Sequence, residues 1–356
     1  MTQSNKSQDL VFELLLVSTG TCKSLRQTYT DNDWAGALAI AKEQAIVGVL
    51  LSAIEILEVQ PPKTLLLQWI GLVQMVEQES ARMAEAGVAV VKYFHEHGFA
   101  CHILKGSSVA RYYPHPNRRT SRDIDVWLDG GRKKIYDFAR AFDKDGKLYG
   151  VNYHHIRFLL IDDVLIEVHI WPSFLSSPLL NLRLHKFCNL HRPNMEASVP
   201  SLAFDRVFIL LHCYTHFCGH GVGLRQIMDY YYVLKQGFTE EERKDAACWI
   251  KKLGMGCFAQ GLMWVLREYF GLEEQYLLIR PDEKEGRFIM HEVLQTGNMG
   301  HGDTRNWGSM RTPFLRFLLN LRRDFYLVGH YPQEAIWQPL FSIGLYFWRL
   351  TLKKSV

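Results

Sequence analysis

The chain has 356 residues, enough to bury a sizeable core in two domains or one elaborated domain. A hydrophobic share of 48% and a charged share of 22% are those of an ordinary globular protein, and a formal charge of +4 is too mild to argue for a general nucleic-acid binder. Seven cysteines, odd in number, scattered and without a CxxC pair, argue against a disulfide framework and a thiolate zinc site and for a reducing, cytoplasmic setting.

The N-terminus does not read as a signal peptide, because Asp9 and Glu13 break into the apolar run Leu10–Val17 and no clean cleavage site follows. Residues 8–60 read as helical, with Asp31 or Asp33 expected to cap a helix over Trp34–Glu58. Pro61-Pro62 stops it. Thr64 then opens a long amphipathic helix from Leu65 to about His97, ended by Gly98.

At Phe99 the texture changes. "FACHIL" reads as a short strand, followed by Lys105-Gly106-Ser107-Ser108, where Ser107 or Ser108 is expected to cap a helical turn. "DIDVWL" reads as a second strand, ended by Gly130-Gly131, and 132–142 as a helix. "YHHIRFLLI" and "VLIEVHIW" read as two strands joined as a hairpin at Asp162-Asp163.

From Pro200 the texture is helical again. Ser201 and Thr239 are expected N-caps, Gly271 ends a further helix, and 297–313 reads as a glycine-rich polar loop. Near the C-terminus, the uncharged run Ala335–Trp348 is too short to span a bilayer, contains Pro339, and reads as a helix docking on the core, with an interfacial membrane helix as the alternative. Its aromatic residues read as packing. The expected fold is α+β. A small mixed-sheet core of about four strands (99–199) is flanked by an N-terminal helical region (1–98) and a C-terminal one (200–356).

Asp123 and Asp125 stand two apart on a strand and therefore project to one face. At about 6–7 Å they repel by roughly 2–3 kcal/mol at an effective dielectric near 20. Aspartate is also disfavoured in strands. A cation would offset both costs, and Mg2+, with Mn2+ as a substitute, prefers carboxylate and phosphate oxygens. A solvated edge strand is the plain alternative. Three features speak against it. Lys105-Gly106-Ser107-Ser108 follows a strand and opens a helix, so a phosphate can approach backbone N–H groups. Glu167 alternates with Ile166 and Val168, beside His169, on a strand that could neighbour Asp123–Asp125. Five cations from Lys105 to Arg122, with no intervening acid, can receive a triphosphate.

This spacing resembles the DNA polymerase beta-like nucleotidyltransferase superfamily, with Gly106-Ser107, Asp123/Asp125 and Glu167 at its signature positions. It is similar in particular to the bacterial uncharacterised nucleotidyltransferases. Here "LKG", "YYPHP", Arg119 through Asp125, "EVH" (Glu167–His169) and "GLRQIMD" (Gly223–Asp229) occur in order over about residues 90–235. The resemblance implies two-metal transfer of a nucleoside monophosphate from an NTP, releasing pyrophosphate. Asp123 and Asp125 would hold one magnesium and Glu167 would serve as ligand or base for the other. Lys105, Arg119 and Arg122 would bind phosphates, with Gly106, Ser107 and Ser108 around the triphosphate. Ser107 would donate to the β- or γ-phosphate.

His212, His216 and His220 are spaced by four. Gly219 is expected to end the helix before His220, so these read as core or acceptor-pocket histidines rather than a zinc site. His169, His216, Arg225 and Asp229 are expected in the acceptor pocket or as braces between the helical region and the sheet. The partners implied are an NTP and an unidentified small-molecule or macromolecular acceptor, without general nucleic-acid binding or a transmembrane segment. The competing readings are a catalytically inactive nucleotide-binding module and a protein-interaction module on the same fold.

Overall fold

A computed structural model describes residues 6–143, 148–151, 153–160, 164–194, 197–219, 221–298, 303, 305 and 313–354. The Asp162-Asp163 link, His220 and most of 297–313 lie outside the described residues. Helix α1 (Lys6–Ser18) precedes α2 (Asp31–Glu43). The N-cap of α2 is Thr30, not Asp31 or Asp33. Its hydroxyl accepts from the Asp33 backbone N–H, while the Asp33 carboxylate accepts from the Thr30 N–H. This reciprocal pair satisfies two otherwise unpaired backbone donors. The single helix expected over Trp34–Glu58 is two, because Ala45 takes φ 57 and α3 (Val47–Ile54) restarts beyond it.

Helix α4 (Lys63–Glu96) follows the two prolines. Its buried residues include Trp69, Val73, Ser80, Met83, Gly87, Val90 and Phe94, recurring by threes and fours along one stripe. The upper half of that stripe packs on a five-stranded sheet. The strands are β1 (Cys101–Ile103), β2 (Ile124–Leu128), β3 (Leu148–Val151), β4 (His155–Leu159) and β5 (Leu165–His169). A one-turn helix, α5 (Ser107–Ala110), follows β1, and α6 (Gly131–Asp143) follows β2. The fold is α+β as expected, with β3 as a strand beyond the four anticipated.

The strand order is β1-β2-β5-β4-β3. Only β2 and β5 run parallel; the other neighbours are antiparallel. Period-two alternation gives the sheet two chemically distinct faces. One face carries Ile124, Val126, Leu128, Ile156, Phe158, Ile166 and Val168, packed with Val90 and Phe94 of α4 and Ile135 and Ala139 of α6. The other face is polar at its centre. Register places Asp125, Glu167 and Arg157 in one row and Trp127, His169 and His155 in the next.

The rest of the chain is helical: α7 (Pro178–Leu190), α8 (Leu202–Gly219), α9 (Leu224–Lys235), α10 (Glu240–Lys252), α11 (Gly256–Phe270), α12 (Glu283–Thr296), α13 (Pro313–Leu327) and α14 (Pro332–Lys354). Ser201 accepts from the Phe204 N–H at 3.2 Å, Thr239 and Glu242 form a capping box, and Gly271 ends α11 in the left-handed region, all as expected. A large apolar core runs through α1–α3 and α8–α12. Pro339 lies inside α14. The expectation that the aromatics of this segment are packed holds for Phe341, which stacks on Phe174 at 5.1 Å, and fails for Trp337, Tyr346 and Phe347, which stand exposed. Among the described residues no helix is long and apolar enough to cross a membrane.

Candidate active site

The polar row of the sheet opens into a cleft of about 640 Å³. Asp125 is its buried centre: Oδ1 accepts from His169 Nε2 at 2.8 Å and from Lys105 Nζ at 2.9 Å. Glu167, its register partner on β5, pairs with Arg157 of β4 at 2.5 Å and lies 3.8 Å from His169 Nε2. Asp123 stands one residue before β2, half-buried, and lines the same cleft. One ligand atom from each of Asp125, Glu167 and His169 falls within a 4.8 Å cluster able to hold a metal ion; Asp123 is not part of that cluster.

The electrostatics distinguish the three acids. Burial works against the Asp125 carboxylate, but Lys105 and His169 more than offset it and hold its pKa well below the usual range. Asp123 is raised, first by the charge of Asp125 and then by burial. Glu167 is raised by burial first and by Asp125 second. Burial disfavours the Lys105 ammonium, yet Asp125 and Asp123 keep its pKa above the ordinary value.

Gly106 takes φ 63, and a Cβ there would meet Ser121 Oγ at 3.0 Å. Glycine therefore holds the cap position of α5, and neither Ser107 nor Ser108 caps it. Lys105 and Gly106 line the cleft, whereas Ser107 and Ser108 do not; the buried Ser108 hydroxyl has no hydrogen-bond partner among the described residues.

Most of the basic run is already paired. Arg111 reaches Asp205 at 3.1 Å. Arg118 reaches Glu55 at 2.6 Å and Glu77 at 2.9 Å, tying the segment before β2 to α3 and α4. Gly48 permits that approach, since a Cβ there would lie 2.3 Å from the Arg118 carbonyl oxygen. Arg119 is buried and grips Asp229 of α9 bidentately at 2.6 and 2.7 Å; Tyr113 donates to the same carboxylate at 2.7 Å. Lys105 holds Asp125. Of the five cations, Arg122 alone has no hydrogen-bond or ion-pair partner among the described residues, and it is exposed on the cleft rim. The expectation of five free cations facing a triphosphate is thus corrected to one free and four engaged.

Helix α8 contributes His212 and His216, their rings 4.3 Å apart, to the cleft lining. Burial holds His212 well below its usual pKa. Arg225 of α9 also lines the cleft, 3.8 Å from Asp229. Further lining residues carry no motif. His154 and His155 sit in what reads as a plain strand, and Asp324, Glu334, Gln338 and Phe341 come from α13 and α14. Alternation along β4 could have placed His155 beside Arg157 on the polar face. Nothing local marks the C-terminal residues.

Among curated proteins none matches the sequence. Solved structures similar to the chain include a CCA-adding enzyme with ATP, 12% identical, covering 77% of this chain and 81% of that one at a TM-score of 0.20. They also include the Thermotoga maritima CCA-adding enzyme with tRNA (11%, 78% and 85%, 0.20). A third is a CCA-adding enzyme with CTP (11%, 78% and 84%, 0.21). Overlap that slight says nothing further of this chain. The family model described as "Uncharacterised nucleotidyltransferase" matches residues 30–271, a span running from the Thr30 cap through Asp123, Asp125 and Glu167 to Gly271, and the chain belongs to that family.

Proposed function

We propose that the chain moves a nucleoside monophosphate from an NTP to an acceptor hydroxyl or phosphate and releases pyrophosphate. Asp123, Asp125 and Glu167 would hold magnesium. The observation that carries this reading is the register of Asp125 with Glu167 on adjacent strands, inside one cleft with Asp123. The residues fit such an ion: the donors are carboxylate oxygens, Asp123 is raised first by the charge of Asp125, and Glu167 is raised by burial and then by Asp125. When bound, the ion offsets charge on the triphosphate and acidifies an acceptor hydroxyl.

The chain's own groups do the rest. Lys105 exchanges Asp125 for a phosphate oxygen. Arg122 and Arg225 take the outer phosphates, and Gly106 lets a phosphate approach the backbone. Glu167 accepts the acceptor's proton as its oxygen attacks the α-phosphorus and the bond to pyrophosphate breaks. Arg119 and Asp229 brace α9 against the segment that carries Asp123, and Arg119 is assigned to that role rather than to phosphate. The α13–α14 wall, with Asp324, Gln338 and Phe341, is the acceptor side.

Incubation with each α-labelled NTP, with magnesium and with chelator, tests the proposal. Magnesium-dependent pyrophosphate release or label transfer, lost in Asp125→Asn, is expected. Mg–NTP at 100 times its dissociation constant should add about 2.7 kcal/mol of stability. Binding without turnover in the presence of a broad acceptor panel would favour the inactive nucleotide-binding reading. No binding at all would favour the interaction module.

A further inference from the structure

We infer that His154, His155 and His169 form a transition-metal site for a borderline ion such as Zn2+, beside the Asp125–Glu167 cluster and sharing His169 with it. One ring nitrogen of each falls within a 4.8 Å cluster. His155 Nδ1 and His154 Nε2 are 2.9 Å apart, and the rings of His154 and His155 lie 5.8 and 5.5 Å from that of His169. Tetrahedral Zn–N bonds of about 2.0–2.1 Å place ligand nitrogens about 3.3 Å apart. The histidine pair therefore needs to open by only a few tenths of an ångström.

His169 supplies the second, independent observation. Its Nε2 donates to Asp125 at 2.8 Å, so Nδ1 is the nitrogen left to offer a metal. That Nδ1 is buried and meets no partner among the described residues. A carboxylate gripping one imidazole nitrogen while the other stays free is how proteins orient a histidine toward a metal. The hydrogen bond between His154 and His155 explains that pair without a metal, but it leaves the His169 nitrogen desolvated and unpaired. Lys105 and Arg157, the cations nearest the cluster, are each paired with a carboxylate.

All three histidines line the cleft, so an ion can enter and keep a fourth position open to solvent or substrate. Imidazole donors select zinc, copper or nickel, whereas the carboxylates select magnesium or manganese. The two ions would thus be sorted by donor chemistry and linked through His169 and Asp125.

The test uses the full chain, stripped with chelator and returned to excess Mg2+ to fill the oxygen site. Co2+ is titrated by visible absorption and Zn2+ by calorimetry and thermal melting. One ion per chain is expected, with the spectrum of tetrahedral nitrogen ligation. His154→Gln/His155→Gln removes two direct ligands and should weaken uptake by at least the roughly 100-fold that losing an outer-shell partner can cost. His154→Gln alone, at a half-buried position before β4, guards against misfolding of the double variant. Asp123→Asn should retain the ion. Absent uptake, uptake indifferent to both histidine variants, or uptake lost in Asp123→Asn overturns the site.

Discussion

Asp123 and Asp125 lie two residues apart on one wall of the cleft, yet their carboxyl pKa values are displaced in opposite directions. Asp125 is held low by Lys105 and His169 against its burial, while Asp123 is raised first by the charge of Asp125. The two therefore differ in what they do for the metal-free fold. Asp125→Asn strands Lys105 and should destabilise by about 3 kcal/mol. Asp123→Asn relieves repulsion and should leave the metal-free melting temperature unchanged or raise it. Either substitution should lower nucleotidyl transfer on the order of 10³-fold. Melts in chelator beside pyrophosphate release check both halves. A metal-free Asp123→Asn protein as unstable as Asp125→Asn would defeat the account.

Arg119 and Asp229 form a buried bidentate pair joining the segment before β2 to α9. Burial opposes the Asp229 charge, but Arg119 holds its carboxyl below the usual range. Asp229→Asn leaves a buried guanidinium without its counter-charge, at a cost of about 3–5 kcal/mol in denaturant unfolding. Arg119→Met/Asp229→Leu, which removes both charges, should recover much of that loss. A brace predicts a loss of turnover that follows loss of stability; a phosphate ligand predicts weaker NTP binding in a stably folded double variant. NTP affinity of that variant separates the two.

The alternation of Ile and Val with Asp, Glu and His along two runs made the polar face of β2 and β5 legible from residue order alone. Which strand pairs with which was not. Asp125 and Glu167 meet through a parallel pairing whose register no local signal encodes. The basic run misled for the same reason. Arg118 finds Glu55 63 positions away and Arg119 finds Asp229 110 positions away, so a paired arginine and a free one look alike in sequence. Ala45 breaks a helix without glycine or proline, and Thr30 takes the cap that Asp33 only completes. The α13–α14 wall was invisible because its cleft-lining residues share no spacing.

Arg122 is the cation of the run that remains unpaired among the described residues, and it stands exposed on the cleft rim. Arg122→Ala should leave the melting temperature unchanged, since no structural contact is lost. Mg–NTP affinity should fall about tenfold, consistent with one hydrogen bond to a charged group, and the residual binding should depend less on salt. Calorimetric titration at two ionic strengths reads both effects. Unchanged affinity would move the phosphate tail elsewhere, with Arg225 the next residue to replace.

Asp324 of α13 is buried on the wall proposed for the acceptor, without a hydrogen-bond or ion-pair partner among the described residues. Burial pushes its carboxyl up to about 7; Arg323 opposes the rise and Glu334 adds to it. A folded chain that holds this proton up to about pH 7, while the unfolded chain releases it near the ordinary value of 3.8, gains stability in acid. The gain is fully present below about pH 4 and is lost as pH rises through 7. The difference corresponds to at most on the order of 4 kcal/mol. Asp324→Asn mimics the protonated form. It should match the natural chain at pH 4, exceed its melting temperature by several degrees at pH 8, and flatten the decline between. Equal melting curves at pH 8 would mean that Asp324 ionises at no cost, and that the acceptor wall carries a negative charge at neutral pH.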